Sequence, residues 1–368
     1  MFNRKAIWLR PLLIIVGFLY GFVVTVRNIL FDIGWFKSKS FRIPVISIGN
    51  ITVGGTGKTP HVEYLLNLLL PKFQVAVLSR GYKRKSSGFK ILDVDTGPDM
   101  AGDEPCQMKH KFPEASIAVD ANRVRGIESL KKHIPALQVV LLDDAFQHRY
   151  VSPGLNILLI DYNRPPFEDR MLPAGDMRES FSSIQRADMI IVTKTPEKIT
   201  PIDQRIFTRN LDLYPYQTVF YTTLKYYGLK PVFPEKEDME SPEKCPDKWS
   251  VVAVSGIAVP DTFEQRVAKM FQDTHFKRFP DHHYYTRANI ASIENHPGLS
   301  GKDGKRPLFI TTEKDAIRLV SMQKHINYPS NWFYLPVGVM FLGGGESKFD
   351  KEIVNYVSSN RRYSVLHR

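Results

Sequence analysis

The sequence predicts an α/β fold in which a mostly parallel sheet carries helices on both faces. Short apolar runs, typical of buried strands, alternate along the chain with helical stretches such as 61–70 and 121–134. This alternation indicates strand-helix-strand units, because parallel strands need a crossover connection between them. The strands of this sheet are predicted at 45–48, 74–78, 116–119, 138–142, 156–160 and 189–193.

A second, smaller α/β domain is predicted after a change in composition. Residues 226–249 combine several prolines with many charges, and an apolar run follows them. Strands of the second domain are predicted at 251–256, 308–312 and 332–337. The predicted bounds are 1–36 for an N-terminal helix, 37–225 for the larger domain, 226–249 for a linker and 250–368 for the smaller domain.

Composition supports a globular chain with an anionic partner. The chain has 368 residues, of which 43% are hydrophobic and 24% charged, so it is long enough for two domains with their own cores. Cys106 and Cys245 show neither metal-binding nor redox spacing, which favours a reducing compartment without a disulfide. The net charge of +12 favours either nucleic acid or a membrane surface with an acidic substrate.

The N-terminal segment decides between these two partners. Residues 11–26 are uncharged and apolar, and Arg10 and Arg27 flank them. This stretch is slightly shorter than the roughly 20 residues of a bilayer-spanning helix. We therefore expect a helix that lies in or dips into the cytoplasmic leaflet of a membrane, and no nucleic-acid partner. A cleaved signal peptide and a buried core helix are the alternatives.

The turn between the first predicted strand and the first helix is rich in glycine. Glycine lets successive backbone N–H groups turn toward phosphate oxygens, and the following helix adds the positive end of its dipole. In such a loop Lys58 would neutralise the β- and γ-phosphates of a nucleoside triphosphate, and Thr59 would bind Mg²⁺. Thr52 stands where the strict pattern has glycine, so a glycine-rich turn with a surface lysine is the alternative. The predicted nucleotide-binding residues are Gly54, Gly55, Thr56, Gly57, Lys58 and Thr59.

An apolar strand that ends in Asp143 and Asp144 complements this loop. A buried strand with a terminal carboxylate can recruit Mg²⁺ beside a phosphate loop, either directly or through water. Adjacent residues of an extended chain point to opposite sides, so we expect only one aspartate to face the metal. A strand that simply ends in a polar turn is the alternative.

Four other polar segments are candidates for the remaining chemistry. Asp103 could accept the proton of an acceptor hydroxyl, although a Gly-Asp-Glu-Pro sequence is also a common surface turn. Asp281 precedes two histidines, the first being His282, which could bind metal or polarise a catalytic carboxylate. The basic turns around Arg80 and Arg178 could hold an anionic group or lie solvated on the surface.

Several of these motifs occur in a fixed order along the chain. They are Gly54-Gly55-Thr56-Gly57-Lys58-Thr59-Pro60, Ser79-Arg80-Gly81-Tyr82, Gly102-Asp103-Glu104-Pro105, Leu142-Asp143-Asp144 with Phe146-Gln147-His148, Arg178-Glu179, Asp281-His282-His283 and Thr312-Glu313-Lys314-Asp315-Ala316. In this order the motifs resemble the tetraacyldisaccharide 4'-kinases of lipid A biosynthesis. Ala145 departs from the glycine of that pattern, which leaves the backbone angle at this turn open, and the segment 231–249 matches poorly.

The resemblance implies an ATP-dependent kinase with a P-loop NTPase-like fold. Its substrate would be the 4'-hydroxyl of a tetraacylated glucosamine disaccharide 1-phosphate. Asp103 would act as the catalytic base with His282 as its partner, while Lys58, Thr59 and one aspartate of the 143–144 pair would handle ATP and Mg²⁺. The residues expected to bind the substrate are Arg80, Gln147, His148, Arg178 and Glu179.

The predicted anchor agrees with this substrate. A glycolipid with four acyl chains stays in the bilayer, so the enzyme would dock at the cytoplasmic face of the inner membrane. The phosphate loop and His282 belong to different predicted domains, so closure of the two domains would complete the site and exclude water.

A different class of protein remains open at this point. A membrane-associated P-loop ATPase or GTPase could act as a switch or positioning factor. Guanine recognition usually needs an Asn-Lys-x-Asp sequence, and the nearest stretch, Val192-Thr193-Lys194-Thr195-Pro196, lacks both the asparagine and the aspartate. A non-catalytic basic membrane adaptor would leave the phosphate loop and the aspartate pair unexplained.

Overall fold

The computed structural model describes residues 10–233, 241–299 and 304–366. Within these residues the chain forms one sheet of nine strands and one of five. The larger sheet contains β1 Val45–Asn50, β2 Val75–Ser79, β3 Lys90–Ile91, β4 Ser116–Val119, β5 Val139–Asp143, β6 Leu155–Asp161, β7 Met189–Thr193, β8 Thr218–Tyr226 and β14 Val337–Phe341. The smaller sheet contains β9 Lys230–Pro231, β10 Trp249–Ser255, β11 Thr274–Arg278, β12 Arg306–Thr312 and β13 Trp332–Leu335.

The larger sheet confirms the predicted parallel α/β fold. Its strand order is β14-β8-β7-β6-β1-β5-β2-β4-β3, and every pair from β8 to β4 is parallel. Only the two edge strands, β3 and β14, run antiparallel to their neighbours. The phosphate-loop strand β1 is central, between β6 and β5, so the carboxyl ends of several strands meet around the loop.

Helices cover both faces of this sheet. The helices of the described residues are α1 Arg10–Asp32, α2 Lys58–Leu69, α3 Pro98–Ala101, α4 Asp103–Lys111, α5 Arg123–His133, α6 Pro201–Asn210, α7 Asp261–Met270, α8 Arg287–Glu294, α9 Glu313–Val320 and α10 Gly345–Leu366, of which α7, α8 and α9 pack on the smaller sheet. Side chains of the strands alternate between two cores, because successive residues of a strand point to opposite faces. In β2, Val75 and Val77 join the core under α2, α4 and α10, whereas Ala76 and Leu78 join the core under α5.

The smaller sheet has the order β11-β10-β12-β13-β9, parallel except for β9. The same alternation buries Val252 and Val254 under α8 and α9, and Val251 and Ala253 under α7. A second α/β domain is therefore present, as predicted.

The division of the chain differs from the predicted domain bounds at two places. The segment 332–337, predicted as one strand, is two strands, and β14 pairs with β8 of the larger sheet. Helix α10 then packs Phe349, Ile353 and Val357 into the larger core. Strand β9 lies inside the predicted linker and pairs with β13. The chain thus leaves the larger domain after β8, builds the smaller one, and returns with β14. Part of the predicted linker, 234–240, lies outside the described residues.

The N-terminal helix α1 is mostly exposed. It is 23 residues long, longer than the apolar run alone predicted. The part Pro11–Asp32 is long and apolar enough to cross a membrane, and 11% of its most apolar window is buried in the protein. Phe18 is 75% exposed and Val23 65% exposed, which excludes the alternative of a buried core helix. An exposed apolar helix of this kind supports membrane association.

Candidate active site

The glycine-rich turn between β1 and α2 has the backbone of a phosphate loop. Gly54 and Gly57 have φ angles of 97° and 87°, a region that residues with a side chain seldom adopt. Helix α2 starts directly after Gly57 without a side-chain cap, so its first N–H groups point into the loop. Gly54 and Gly55 are exposed, as an entry for phosphate requires.

Thr56 stabilises the shape of this loop. Its side chain is fully buried and accepts a hydrogen bond from Asn50 Nδ2 at 2.8 Å. Its backbone carbonyl accepts a hydrogen bond from Thr193 Oγ1 at 2.9 Å. These two hydrogen bonds attach the loop to the ends of β1 and β7. The buried side chain of Thr56 therefore supports the loop from the protein interior.

Lys58 and Asp144 face each other across the loop. Lys58 Nζ lies 3.6 Å from Asp144 Oδ1, and Arg178 Nη2 lies 3.0 Å from the same oxygen. Burial alone would raise the pKa of Asp144, but the charges of Lys58 and Arg178 outweigh it and lower the pKa to about 2. Asp144 has a φ of 46°, so it, and not Ala145, adopts the left-handed conformation at this turn. The alanine therefore fits without strain.

Asp143 has a different environment from its neighbour. It is buried at the end of β5, and its Oδ2 accepts a hydrogen bond from Ser79 Oγ at 3.0 Å. Burial, together with the carboxylates of Glu104 and Asp144, raises its pKa to about 7. Within the described residues its other oxygen, Oδ1, is buried and has no hydrogen-bond partner.

An unpartnered carboxylate oxygen beside two other carboxylates is suited to a cation. The described part of the chain contains no group of three or more His, Cys, Asp or Glu side chains arranged to hold a metal by themselves. Mg²⁺ in nucleotide sites commonly takes one or two protein oxygens and completes its shell with phosphates and water. Thr59, at the start of α2, and Asp143 therefore fit Mg²⁺ that arrives with a nucleotide.

Asp103 is the first residue of α4 and meets two groups of the smaller domain. His282 Nδ1 lies 2.7 Å from Asp103 Oδ2, and Arg318 Nη2 donates to the same oxygen at 2.6 Å. Burial alone would raise the pKa of Asp103, but these two donors outweigh it and hold the pKa well below its ordinary value. The structure thus brings the two predicted catalytic residues into direct contact.

Glu104 links this pair to the phosphate loop. Its carboxylate accepts a hydrogen bond from Lys314 Nζ at 2.7 Å. Burial opposes ionisation, but the ammonium groups of Lys314 and Lys58 lower the pKa of Glu104. Lys58 of the phosphate loop and Lys314 of the smaller domain thus both act on Glu104, the residue that follows Asp103.

A cluster of positive charge surrounds the predicted residue His148. Arg80 is exposed, whereas Arg123 is buried and donates to the carbonyls of Asp120 and Asp143 at 2.9 and 3.2 Å. Burial and the charges of Arg123 and its neighbours lower the pKa of His148 to about 4, so its imidazole is neutral at physiological pH. Its Nε2 is buried without a hydrogen-bond partner in the described structure. This cluster is suited to an anionic group.

Three other residues predicted to bind substrate already have partners within the protein. Gln147 Nε2 donates to the Asn50 carbonyl at 2.7 Å. Arg178 binds Asp144 and also the side chain of Asn50. Glu179 is 1% exposed and pairs with Arg186. These side chains stabilise the loops around the phosphate site, and a direct contact with substrate stays a prediction for each.

The N-terminal helix also reaches this site. Tyr20 Oη donates to the Arg178 carbonyl at 3.1 Å, and Arg27 Nη2 donates to the Gln147 carbonyl at 2.6 Å. The exposed helix α1 thus contacts two of the loops that line the phosphate site.

Sequence reasoning missed three residues of the site: Arg123, Lys314 and Arg318. Lys314 lay inside a motif that carries the family resemblance, but its partner Glu104 is far away in sequence. Arg318 lies one helical turn after Asp315, which a helix assignment for 313–320 would have placed on the same face. Arg123 had no local signal, since an arginine near a helix start is usually solvated.

The fold and the site together define a P-loop phosphotransferase, with a phosphate loop on one domain and a carboxylate-histidine pair completed by a second domain. The family model for tetraacyldisaccharide-1-P 4'-kinase (LpxK) matches residues 9–358. The chain belongs to this family.

Curated relatives and a solved structure agree with that membership. The chain is 47% identical over 360 residues to a tetraacyldisaccharide 4'-kinase of Phocaeicola vulgatus, with 97% of this chain and 96% of that protein covered. It is 44% identical over 365 residues to the Bacteroides thetaiotaomicron protein of the same name, with 97% and 94% covered. It is also similar to LpxK from Aquifex aeolicus, crystallised in complex with ATP, with a TM-score of 0.73, 32% identity and 95% and 99% of the two chains covered.

Proposed function

We propose that this protein transfers the γ-phosphoryl group of ATP to the 4'-hydroxyl of a tetraacylated glucosamine disaccharide 1-phosphate. The observation that carries this proposal is the family match over residues 9–358. Relatives named tetraacyldisaccharide 4'-kinase also align with nearly the whole chain. The site supports it, because a phosphate loop and a carboxylate base are the two parts that phosphoryl transfer to an alcohol needs.

The phosphate loop, Lys58 and Asp103 have different roles in one in-line transfer of the phosphoryl group. The loop 54–57 and the start of α2 bind the phosphates through backbone N–H groups, and Lys58 stabilises the negative charge that develops on the transferring group. Asp103 accepts the proton of the 4'-hydroxyl as that oxygen forms a bond to the γ-phosphorus. The bond from the γ-phosphorus to the bridging oxygen breaks, and ADP leaves.

Mg²⁺ fits this site beside Thr59 and Asp143. When bound, it neutralises charge on the β- and γ-phosphates. Asp144 is held by Lys58 and Arg178, so we assign it the role of orienting the lysine. The positive cluster of Arg80, Arg123 and His148 is the candidate for an anionic group of the glycolipid.

The exposed helix α1 supports docking at the cytoplasmic face of the inner membrane, where ATP and the glycolipid are both accessible. A four-chain lipid does not leave the bilayer, so the active site has to reach it there. The contacts of Tyr20 and Arg27 with the loops of the site connect membrane docking to catalysis.

The decisive experiment supplies γ-radiolabelled ATP and a tetraacylated disaccharide 1-phosphate in detergent micelles. We expect label in the lipid product on thin-layer separation, and about 10²-fold less or lower with Asp103→Asn. Lipid-independent hydrolysis of ATP or GTP, without label in the lipid, would contradict the proposal and favour the switch or positioning ATPase.

A further inference from the structure

Arg318 reaches from the smaller domain to the predicted base of the larger one. Its side chain is 5% exposed, and its Nη2 donates to Asp103 Oδ2 at 2.6 Å. Its Nη1 donates to Asp315 Oδ1 at 2.9 Å and to the Gly256 carbonyl at 3.3 Å. Asp315 is itself fully buried and accepts hydrogen bonds from the Gly256 N–H and from Thr312. Asp315 and the Gly256 carbonyl therefore hold Nη1 of the guanidinium in place, and Nη2 is directed to Asp103.

Both donors to Asp103 meet the same carboxylate oxygen. His282 Nδ1 lies 2.7 Å from Oδ2, and Arg318 Nη2 lies 3.2 Å from that imidazole nitrogen. Among the residues that the structure describes, Oδ1 accepts no hydrogen bond. A carboxylate fixed through one oxygen has little rotational freedom, so its other oxygen is presented in one direction.

We propose that Arg318 is a positioning residue for the Asp103 base: with His282 it fixes Oδ2, so that Oδ1 is presented to the acceptor hydroxyl. Its charge also favours the ionised carboxylate. This inference rests on the proposed function, since it assumes a hydroxyl acceptor. The base belongs to the larger domain, and both of its donors belong to the smaller one. The base is set in place only when the domains meet.

Other charged or titratable groups surround this contact. Asp281 Oδ2 lies 3.8 Å from His282 Nε2, and the ring of Tyr82 lies 5.8 Å from the imidazole. Cys106 follows Asp103 on α4, and burial raises the pKa of its thiol, so it is neutral there. Tyr285 lies beside Asp315 and Arg318, and burial keeps its hydroxyl protonated. Arg318 is thus the one permanently charged cation, among the described residues, that donates to Asp103.

The alternative is that Arg318 only holds the two domains together and does not position Asp103. Helices α4 and α9 share three ion pairs, Arg318–Asp103, Lys314–Glu104 and Lys111–Glu313. The last pair, at 2.9 Å, involves the final residue of α4 and so lies at the far end of the helix from Asp103. Glu313→Gln therefore removes a charge pair between the same two helices without touching the base, and serves as the matched control.

The experiment compares Arg318→Gln, Arg318→Lys and Glu313→Gln in the full-length protein. Thermal unfolding verifies that each variant folds. Steady-state transfer to the glycolipid gives kcat and KM for ATP. Independently of catalysis, ¹³C NMR of labelled aspartate carboxyls, with Asp103→Asn to assign the signal, follows the titration of Asp103.

We expect Arg318→Gln to lower kcat about 10-fold or more, with KM for ATP within about twofold of wild type, because positioning acts on the transfer step. The Asp103 titration should move to higher pH by about 1–3 units, the usual effect of losing an adjacent cation. Arg318→Lys should restore the titration because it retains the charge, but only part of kcat because it lacks the fork that also binds Asp315. Glu313→Gln should change neither.

Two outcomes would overturn the inference. One is an unchanged Asp103 titration in folded Arg318→Gln, which excludes the contact whatever the lipid assay shows. The other is an equal loss of kcat in Glu313→Gln, which would show that Arg318 only holds the two domains together. If the wild-type protein transfers no phosphate to the lipid, the proposed function fails instead, and the NMR titration still decides whether Arg318 controls Asp103.

Discussion

His282 Nδ1 lies 2.7 Å from Asp103 Oδ2, although the two residues are 179 positions apart in the chain and belong to different domains. Both side chains are largely buried, at 17% and 13% exposure. The contact lies between the start of α4 and the loop after β11. Because the proposed catalytic pair spans the domain boundary, we expect activity to depend on how the two domains meet.

The pair should behave as a unit in mutant kinetics. Asp103→Ala should lower kcat by about 10²-fold or more, the usual scale for a general base, with KM for ATP little changed. His282→Ala should lower kcat less, since it only supports the base. The double variant should be about as poor as Asp103→Ala, because residues that act together are not additive. Strictly multiplicative losses would show that the two residues work independently.

Lys58→Ala should effectively abolish transfer, with kcat lower by about 10²-fold or more, because the ammonium group stabilises the transferring phosphoryl group. The matched control is Lys85→Ala, which removes a lysine from an exposed pair with Asp99. Exposed pairs contribute little, so this control should keep activity within about twofold of wild type. Folded Lys58→Ala with normal turnover would contradict the phosphate-loop interpretation.

Helix α1 should have two separable roles. Deletion of 1–26 removes the exposed apolar surface but keeps Arg27, so it should release the protein from membranes after a salt wash and leave ATP binding largely intact. Arg27→Met should do the reverse. It keeps the anchor but removes the bond to the Gln147 carbonyl, so activity should fall several-fold even in detergent micelles.

Membrane sedimentation and micellar kinetics of the two variants provide the test. If the truncated protein stays quantitatively in the membrane fraction, another surface is the main anchor. If Arg27→Met has wild-type kinetics, the contact of α1 with the site is not used in catalysis.

A buried carboxylate pair should make stability depend on pH. Glu63 on α2 and Glu313 on α9 share Lys111, whose Nζ lies 2.6 and 2.9 Å from their oxygens. Burial and repulsion from Glu313 raise the pKa of Glu63 to about 7, against about 4.3 in an unfolded chain. Between these values the folded state binds more protons than the unfolded state, so the free energy of unfolding falls as pH rises, by at most about 4 kcal/mol.

Glu63→Gln isolates this effect, because glutamine keeps the size of the side chain and does not titrate. The thermal midpoint of wild type minus that of Glu63→Gln should decrease between about pH 5 and pH 8. A difference that is constant over this range would show that Glu63 is ionised throughout.

Much of the larger sheet could be predicted from the sequence because its strands are buried on both faces. Such strands are continuous apolar runs, and each predicted strand of this sheet is present within a residue or two. The strands that were not predicted are short or lie at or near edges. β3 and β9 have two residues each, and β11 is an edge strand with alternating polar residues and little burial.

The return of the chain to the larger sheet had no local signal. Leu335 and Val337 read as one apolar run, yet the chain changes sheets at Pro336, where β13 ends and β14 begins. Only the pairing of β14 with β8 distinguishes this from one strand, and that pairing depends on residues more than a hundred positions away.

The sequence by itself determined the phosphate loop, the aspartates that end β5, the apolar N-terminal helix and the family. Each depends on neighbouring residues, whose backbone conformation and spacing are local properties. Tertiary structure decided which groups meet: Arg318 and His282 on one oxygen of Asp103, Lys314 on Glu104, and Tyr20 and Arg27 on the loops of the site. Their partners are distant in the chain, and only the packing of α4 against α9 and of α1 against the larger domain brings them within hydrogen-bond distance. It also separated the two aspartates, since burial left Asp143 with an unpartnered oxygen while Asp144 turned toward Lys58.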